Sequence, residues 1–352
     1  MNDTKPVLGV IEGFFGRDWG WDARIANFPI LAREGVDLYV YAPKSDRFLR
    51  QDWRKLYAPD QLARLLEARE AARRAQVQFG IGLTPFGIDP QAWRGEAAAL
   101  RAKLDQLRTL DLDWICVLFD DTYGGMSGLA DLHVRATDLV TEAAVAPRCA
   151  MCPAYYSDDP ILDEVFGARP EGYLEDLGRA LPEEVRIFWT GKQVVSEMYA
   201  ASDLAEITER LSRKPLIWDN GAVNDSRLLS PYLPLAPKID RAAPLADGVS
   251  GLMINPINQP ALARLTIGSV ARQWAGQGSG FDALLEAYAS PELADRLRED
   301  LHLFATVGHD NLNAAQRAAL LARYTPLAAE PMGREILDWV QGGYVFDPAC
   351  LT

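Results

Sequence analysis

The segment VLFDDTYGG, residues 117–125, runs three apolar residues straight into two adjacent carboxylates, Asp120 and Asp121, and then into glycine. Two carboxylates held together cannot both ionise freely. One proton is held more tightly than usual, so one group can donate near neutral pH while its neighbour stays a base. A helix N-cap could also use an Asp here, but the apolar run before the pair reads as a strand. Adjacency further restricts the chemistry. Glycoside hydrolysis by two protein carboxylates places them about 5–5.5 Å apart for retention and about 6.5–9.5 Å apart for inversion. Neighbours on one segment suit a different scheme, in which a 2-acetamido oxygen of the substrate attacks C1. One Asp then polarises the amide N–H, and the other protonates the leaving oxygen.

Other chemistries are thinly represented. His133, His302 and His309 are scattered without ligand spacing, and His133 sits in the helical pattern LADLHVRATDLV. Cys149 and Cys152 form a CxxC within a β-rich run, with no second pair, which reads as two buried small hydrophobes. Gly13, Gly16 and Gly20 lack the spacing of a dinucleotide fingerprint, and Phe14 and Phe15 fill the turn where a phosphate would approach. No metal and no cofactor is expected.

The elements that must hold the carboxylates alternate regularly. β-rich runs at 6–13, 37–43, 77–85, 113–121, 148–156, 185–191, 215–220 and 249–256 are separated by amphipathic stretches such as DQLARLLEAREAARRA and EAAALRAKLDQLRTL. Eight strands with helical crossovers in about 250 residues predict a (β/α)8 TIM barrel, class α/β. LARLTIGSVARQWA reads as the last barrel helix, GQGSG (276–280) as a linker, and 281–352 as a small C-terminal helical appendage. Ser290 and Asn313 are expected helix N-caps there. The expected division is thus 1–275 for a catalytic barrel and 281–352 for the appendage.

Barrel active sites collect at the C-terminal ends of the strands. The residues at those ends are Gly13, Lys44, Asp120, Asp121, Tyr155, Tyr156, Trp189, Thr190, Trp218, Asn220 and Asn255. Flat aromatics, amides and acids of this kind suit a sugar pocket, with a Trp covering a pyranose face and Asn or Asp taking hydroxyls.

Composition is compatible with this. Of 352 residues, 49% are apolar and 24% charged, with a net charge of -13, which disfavours nucleic acid and anionic membranes as partners. No secretory leader and no run long enough to span a membrane is visible, so a cytoplasmic location is expected.

The ordered blocks GVIEGFFGRDW, YAPKSDRFLRQDWRKLY, VLFDDTYG, CPAYY, WTGKQVV, IWDNGAVND and INP resemble glycoside hydrolase family 84, the O-GlcNAcase-like β-N-acetylglucosaminidases, over most of residues 7–275. The resemblance implies a (β/α)8 barrel followed by helices, with no metal or cofactor. It implies that Asp120 orients the acetamido N–H, that Asp121 is the general acid and later the base, and that Tyr156 bonds the acetamido oxygen. Gly13, Lys44, Asp225 and Asn255 would bind sugar hydroxyls, and Asn220 the acetamido or leaving-group side. Thr190, Val194 and Trp218 would line the acetamido pocket. Tyr155 is a rival to Tyr156, and Asn258 to Asn255. The expected activity is retaining, exo-acting hydrolysis of terminal β-linked GlcNAc through an oxazoline, on a GlcNAc-bearing glycan or glycoprotein. A non-hydrolytic GlcNAc-binding barrel and an endo-acting, hyaluronidase-like glycosidase are the alternatives. The C-terminal helices could mediate a homodimer.

Overall fold

A computed structural model describes residues 5–236, 245 and 247–347. The outermost residues of both expected parts, 1–4 and 348–352 with Cys350, lie outside them. Eight parallel strands close into a barrel in chain order. They are β1 (Val7–Glu12), β2 (Leu38–Tyr41), β3 (Gln78–Leu83), β4 (Trp114–Leu118), β5 (Arg148–Cys152), β6 (Arg186–Trp189), β7 (Leu216–Asp219) and β8 (Gly251–Ile254). The barrel closes where Val10 of β1 registers with Ile254 of β8. Every predicted β-rich run contains one of these strands. The strands end earlier than the runs because the polar residues after them leave the ladder and turn over the barrel mouth.

The crossover helices are α1 (Trp21–Arg33), α2 (Pro59–Arg74), α3 (Trp93–Arg108), α4 (Leu129–Glu142), α5 (Ile161–Phe166) with α6 (Tyr173–Ala180), and α7 (Ala201–Leu211), and α8 (Ala263–Trp274) follows β8. Most bury one stripe, whereas α8, sandwiched between the barrel and the later helices, is buried on nearly all sides. On α3, Leu100, Leu104 and Leu107 recur at helical spacing and are fully buried. Cys149 and Cys152 on β5 are free, buried thiols, and burial raises the pKa of both, that of Cys149 to about 12. His133 of α4 is a core residue. It stacks on Phe119 at 3.7 Å and meets the Tyr173 hydroxyl at 2.8 Å, and burial lowers its pKa to about 3.

Beyond α8 the chain turns through Gly276, Gly278 and Gly280, all at positive φ, into α9 (Phe281–Tyr288), α10 (Pro291–His302), α11 (Ala314–Tyr324) and α12 (Pro331–Val340). Ser290 and Asn313 cap α10 and α11, accepting from the Leu293 and Gln316 amides. Glu335 of α12 accepts from the Ala261 and Leu262 amides at 2.8–3.1 Å, just before α8. Arg272 of α8 and Tyr288 of α9 both reach Glu34, which follows α1. A continuous apolar core extends from Val7 to Tyr344. Among the described residues no helix is long and apolar enough to cross a membrane.

Candidate active site

The acidic pair begins two residues beyond the end of β4, after Phe119. In an extended strand, neighbouring side chains face opposite ways. Here the chain leaves that conformation at Asp121, whose φ is +56°, in the left-handed region that few non-glycine residues adopt. The two carboxylates diverge toward opposite walls of the mouth. Asp120 reaches the loop after β2, where its Oδ2 takes a hydrogen bond and ion pair from Lys44 Nζ. Asp121 reaches the end of β5, where its Oδ1 accepts from the Tyr156 hydroxyl at 2.9 Å.

Asp120 is buried, and its Oδ1 has no hydrogen-bond partner among the described residues. A desolvated carboxylate oxygen in that state is poised for a donor that the protein does not supply. The Asp121 carboxyl is held above the usual carboxylate range, first by burial. Lys44 opposes this, Asp120 reinforces it, and Tyr156 and Arg50 oppose it. Part of Asp121 still opens to solvent, which leaves a route for proton exchange. Tyr156 is pushed well above its ordinary value by burial and by the two carboxylates, so it remains a hydroxyl donor.

The two adjacent tyrosines differ in position. Tyr155 is fully buried and turns away, donating to the Gly167 carbonyl at 2.6 Å with its ring edge-on to Tyr173. Gly124 has to be glycine to pass it, since a Cβ there would stand 2.7 Å from the Tyr155 ring. Asn258 likewise belongs to the scaffold. Both hydrogens of its amide go to backbone carbonyls, Phe15 at 2.8 Å and Arg17 at 3.0 Å, which pins the loop after β1. Trp189 is also a buried core side chain.

Gly13, Val194, Trp218, Asn220 and Asn255 form one hydrogen-bonded wall. Asn220 Oδ1 accepts from Trp218 Nε1 at 3.0 Å and Asn255 Nδ2 at 2.9 Å, while its own amide donates to the Val194 carbonyl at 2.9 Å. Asn220 therefore ties together the ends of β7 and β8 and the loop after β6. Asn255 Oδ1 accepts from the Gly13 amide at 3.3 Å. Gly13 lies so close to Trp218 that a Cβ would stand 2.3 Å from the indole, so only glycine lets the Trp218 ring lie flat there. Thr190 is buried and spends its hydroxyl on the Gln193 carbonyl. Asp225 accepts from the Phe15 amide at 2.9 Å, and its pKa is raised to about 6, chiefly by burial and further by Asp121.

Two residues escaped sequence reasoning. Asp159 accepts from the Val194 amide and fixes that loop. Arg50 lies six residues beyond Lys44 and is buried. An arginine following Phe48 and Leu49 was the available signal. A cavity of about 480 Å3 lies apart from the pair, lined by Trp21, Tyr41, Asp46 and Arg64 among others.

Chemically, the mouth offers a carboxylate paired with a lysine, a carboxyl with raised proton affinity, a phenol donor and an aromatic wall. This is equipment for polarising an amide and exchanging a proton with an oxygen leaving group. Comparison with known proteins points the same way. A sequence profile described as beta-N-acetylglucosaminidase matches residues 8–305. Proteins described as protein O-GlcNAcase in Rattus norvegicus and Mus musculus are each 29% identical over 267 residues, covering 71% of this chain. The match takes in 28% of the length of those relatives. An O-GlcNAc hydrolase of Thermobaculum terrenum, solved as a mutant, superposes with a TM-score of 0.75 at 23% identity, covering 97% of this chain and 76% of that one, which establishes likeness of fold.

Proposed function

The chain belongs to the β-N-acetylglucosaminidase family of glycoside hydrolases, and from that premise we propose that it removes terminal β-linked GlcNAc with retention, using the substrate's own acetamido group as nucleophile. The observation that carries this reading is the division of labour within the pair. Asp120 is held by Lys44 with its second oxygen unpartnered, and Asp121 is held by Tyr156 with raised proton affinity.

In the first step Asp120 Oδ1 accepts a hydrogen bond from the acetamido N–H and takes its proton as the ring closes, which pushes electron density onto the carbonyl oxygen. That oxygen attacks C1 from below. The C1–O bond to the leaving group breaks, and Asp121 delivers its proton to the departing oxygen. Tyr156 donates to the acetamido oxygen and steadies the oxazoline that forms. In the second step a water attacks C1 from above, Asp121 takes its proton, the C1–oxygen bond of the oxazoline breaks, and Asp120 returns the proton to nitrogen to restore the amide. Two inversions give retention.

Gly13, Lys44, Asp225 and Asn255 are proposed to bind the sugar hydroxyls, with Thr190, Val194 and Trp218 around the acetamido methyl. Asn220 is proposed to hold Trp218 and Asn255 in place, with one amide hydrogen left for the substrate. The substrate is a glycan or glycoprotein ending in β-GlcNAc, cut from the chain end. The test compares aryl β-GlcNAc with its N-trifluoroacetyl analogue and with the aryl β-glucoside that lacks the amide. Turnover should fall steeply as the amide oxygen becomes less nucleophilic and vanish for the glucoside. Equal hydrolysis of all three would refute participation by the amide.

A further inference from the structure

Arg50 sits in the loop between β2 and α2 and is only 4% exposed. Its Nε and Nη1 make no hydrogen bond, and among the described residues no carboxylate lies within ion-pair distance of it. Two other buried cations beside the strands are answered directly by carboxylates, Arg24 by Glu12 and Lys44 by Asp120. Arg50 instead lies over two rings, Phe86 at 4.8 Å and Phe15 at 5.4 Å. The Phe15 ring is shared, for Lys44 Nζ lies 5.7 Å from the same centroid. Aromatic faces compensate part of the cost of burying a cation. They do not cancel its charge, so the field of Arg50 extends to the nearest acids.

We propose that Arg50 is a positioning residue for the proposed acid–base carboxylate: its unanswered charge supplies the field that lets Asp121 release and recover a proton within one catalytic cycle. This rests on the function proposed above. The groups facing Asp121 can be taken element by element. Asp120 neighbours it on the segment after β4, and Tyr156 and Cys152 face it from β5 and its end. Asp225 approaches from beyond β7, and Lys44 and Arg50 from the loop after β2. Burial and Asp120 retain the Asp121 proton, and the two cations oppose them. Lys44 is bound to Asp120, which leaves Arg50 as the cation without a carboxylate of its own. Lys44 exerts the larger pull on the Asp121 proton and Arg50 adds to it, so without Arg50 the acid would hold its proton more tightly.

The test is a titration of the Asp121 carboxyl carbon by 13C NMR in the full chain, assigned with Asp121→Asn, for wild type, Arg50→Met and Arg50→Lys. The pH profile of kcat/KM on an aryl β-GlcNAc is recorded alongside. Arg50→Met should raise the midpoint by roughly half a unit, the Coulomb interaction expected of a partly screened charge at this range. The alkaline limb of the profile should move with it, and Arg50→Lys should restore both. An unmoved midpoint in folded Arg50→Met overturns the proposal, as does a loss of rate with both limbs in place, the mark of a packing role. Should Arg50→Met fail to fold, Arg50→Gln removes the same charge while keeping a polar head. A wild type that does not cleave the glycoside would refute the proposed function, and the NMR arm would still decide on Arg50.

Discussion

Asp121→Asn is expected to make the protein more stable at neutral pH while disabling it. Three structural facts set the sign. The Asp121 carboxyl is raised above the usual carboxylate range, chiefly by burial, so its ionised form is disfavoured in the folded chain. Its stabilising contribution is therefore fully present below the unfolded carboxyl value and is lost as pH rises through the folded one. An asparagine carries no charge to desolvate or to repel Asp120. Its Oδ1 can still accept from Tyr156, and it tolerates the left-handed backbone at φ +56° better than most residues. The attraction of Lys44 and Arg50 is forfeited, which limits the gain to about 1–2 kcal/mol at pH 8. With roughly 2 cal/mol/K of unfolding entropy per residue, a chain of 352 residues converts this to about 1.5–3 °C in Tm. Scanning calorimetry from pH 4 to pH 8 should show the variant and wild type converging in acid and separating toward pH 8. Hydrolysis should fall by about 10²–10⁴ for alkyl leaving groups, which need protonation, and far less for acidic phenols. A variant less stable than wild type at pH 8, or a Tm difference independent of pH, would refute this account of Asp121.

Three further predictions follow from particular contacts. Tyr156→Phe removes the hydrogen bond to Asp121 and should lower kcat by about 10- to 100-fold, while Tyr155→Phe leaves the Gly167 carbonyl unanswered and should cost about 1–2 kcal/mol of stability with kcat kept; paired kinetics and thermal melts separate the two. Gly13→Ala forces a methyl to within 2.3 Å of the Trp218 ring, and should abolish binding of an oxazoline-mimicking inhibitor by calorimetry before it abolishes folding by circular dichroism. Glu335→Gln replaces the carboxylate that accepts from Ala261 and Leu262 with an amide, one arm of which is a donor; denaturant unfolding should show a loss of about 1–3 kcal/mol although the site is untouched.

Much of this protein was legible in its residues. Strand runs alternating with helical stripes such as Leu100, Leu104 and Leu107 specify a parallel barrel, because a period of two and a period of 3.6 are local properties of the chain. The acids after β4, Lys44 after β2 and Trp218 on β7 were equally visible, since a barrel fixes in advance which end of each strand carries chemistry. What the residues left open was direction. Tyr155 and Tyr156 are adjacent and chemically identical, and Asn255 and Asn258 three apart; only the closed sheet turned Tyr156 toward Asp121 and spent Asn258 on the backbone of Phe15 and Arg17. The same holds for the partners far apart in the chain. Asn220 joins Trp218 to Asn255, Glu335 reaches Ala261, and Arg50 ends up near an acid with which it shares no sequence pattern. Periodicity is written along one segment, whereas orientation and long-range contact arise only when distant segments pack, and each side chain then takes whichever partner the closed barrel brings within hydrogen-bond reach.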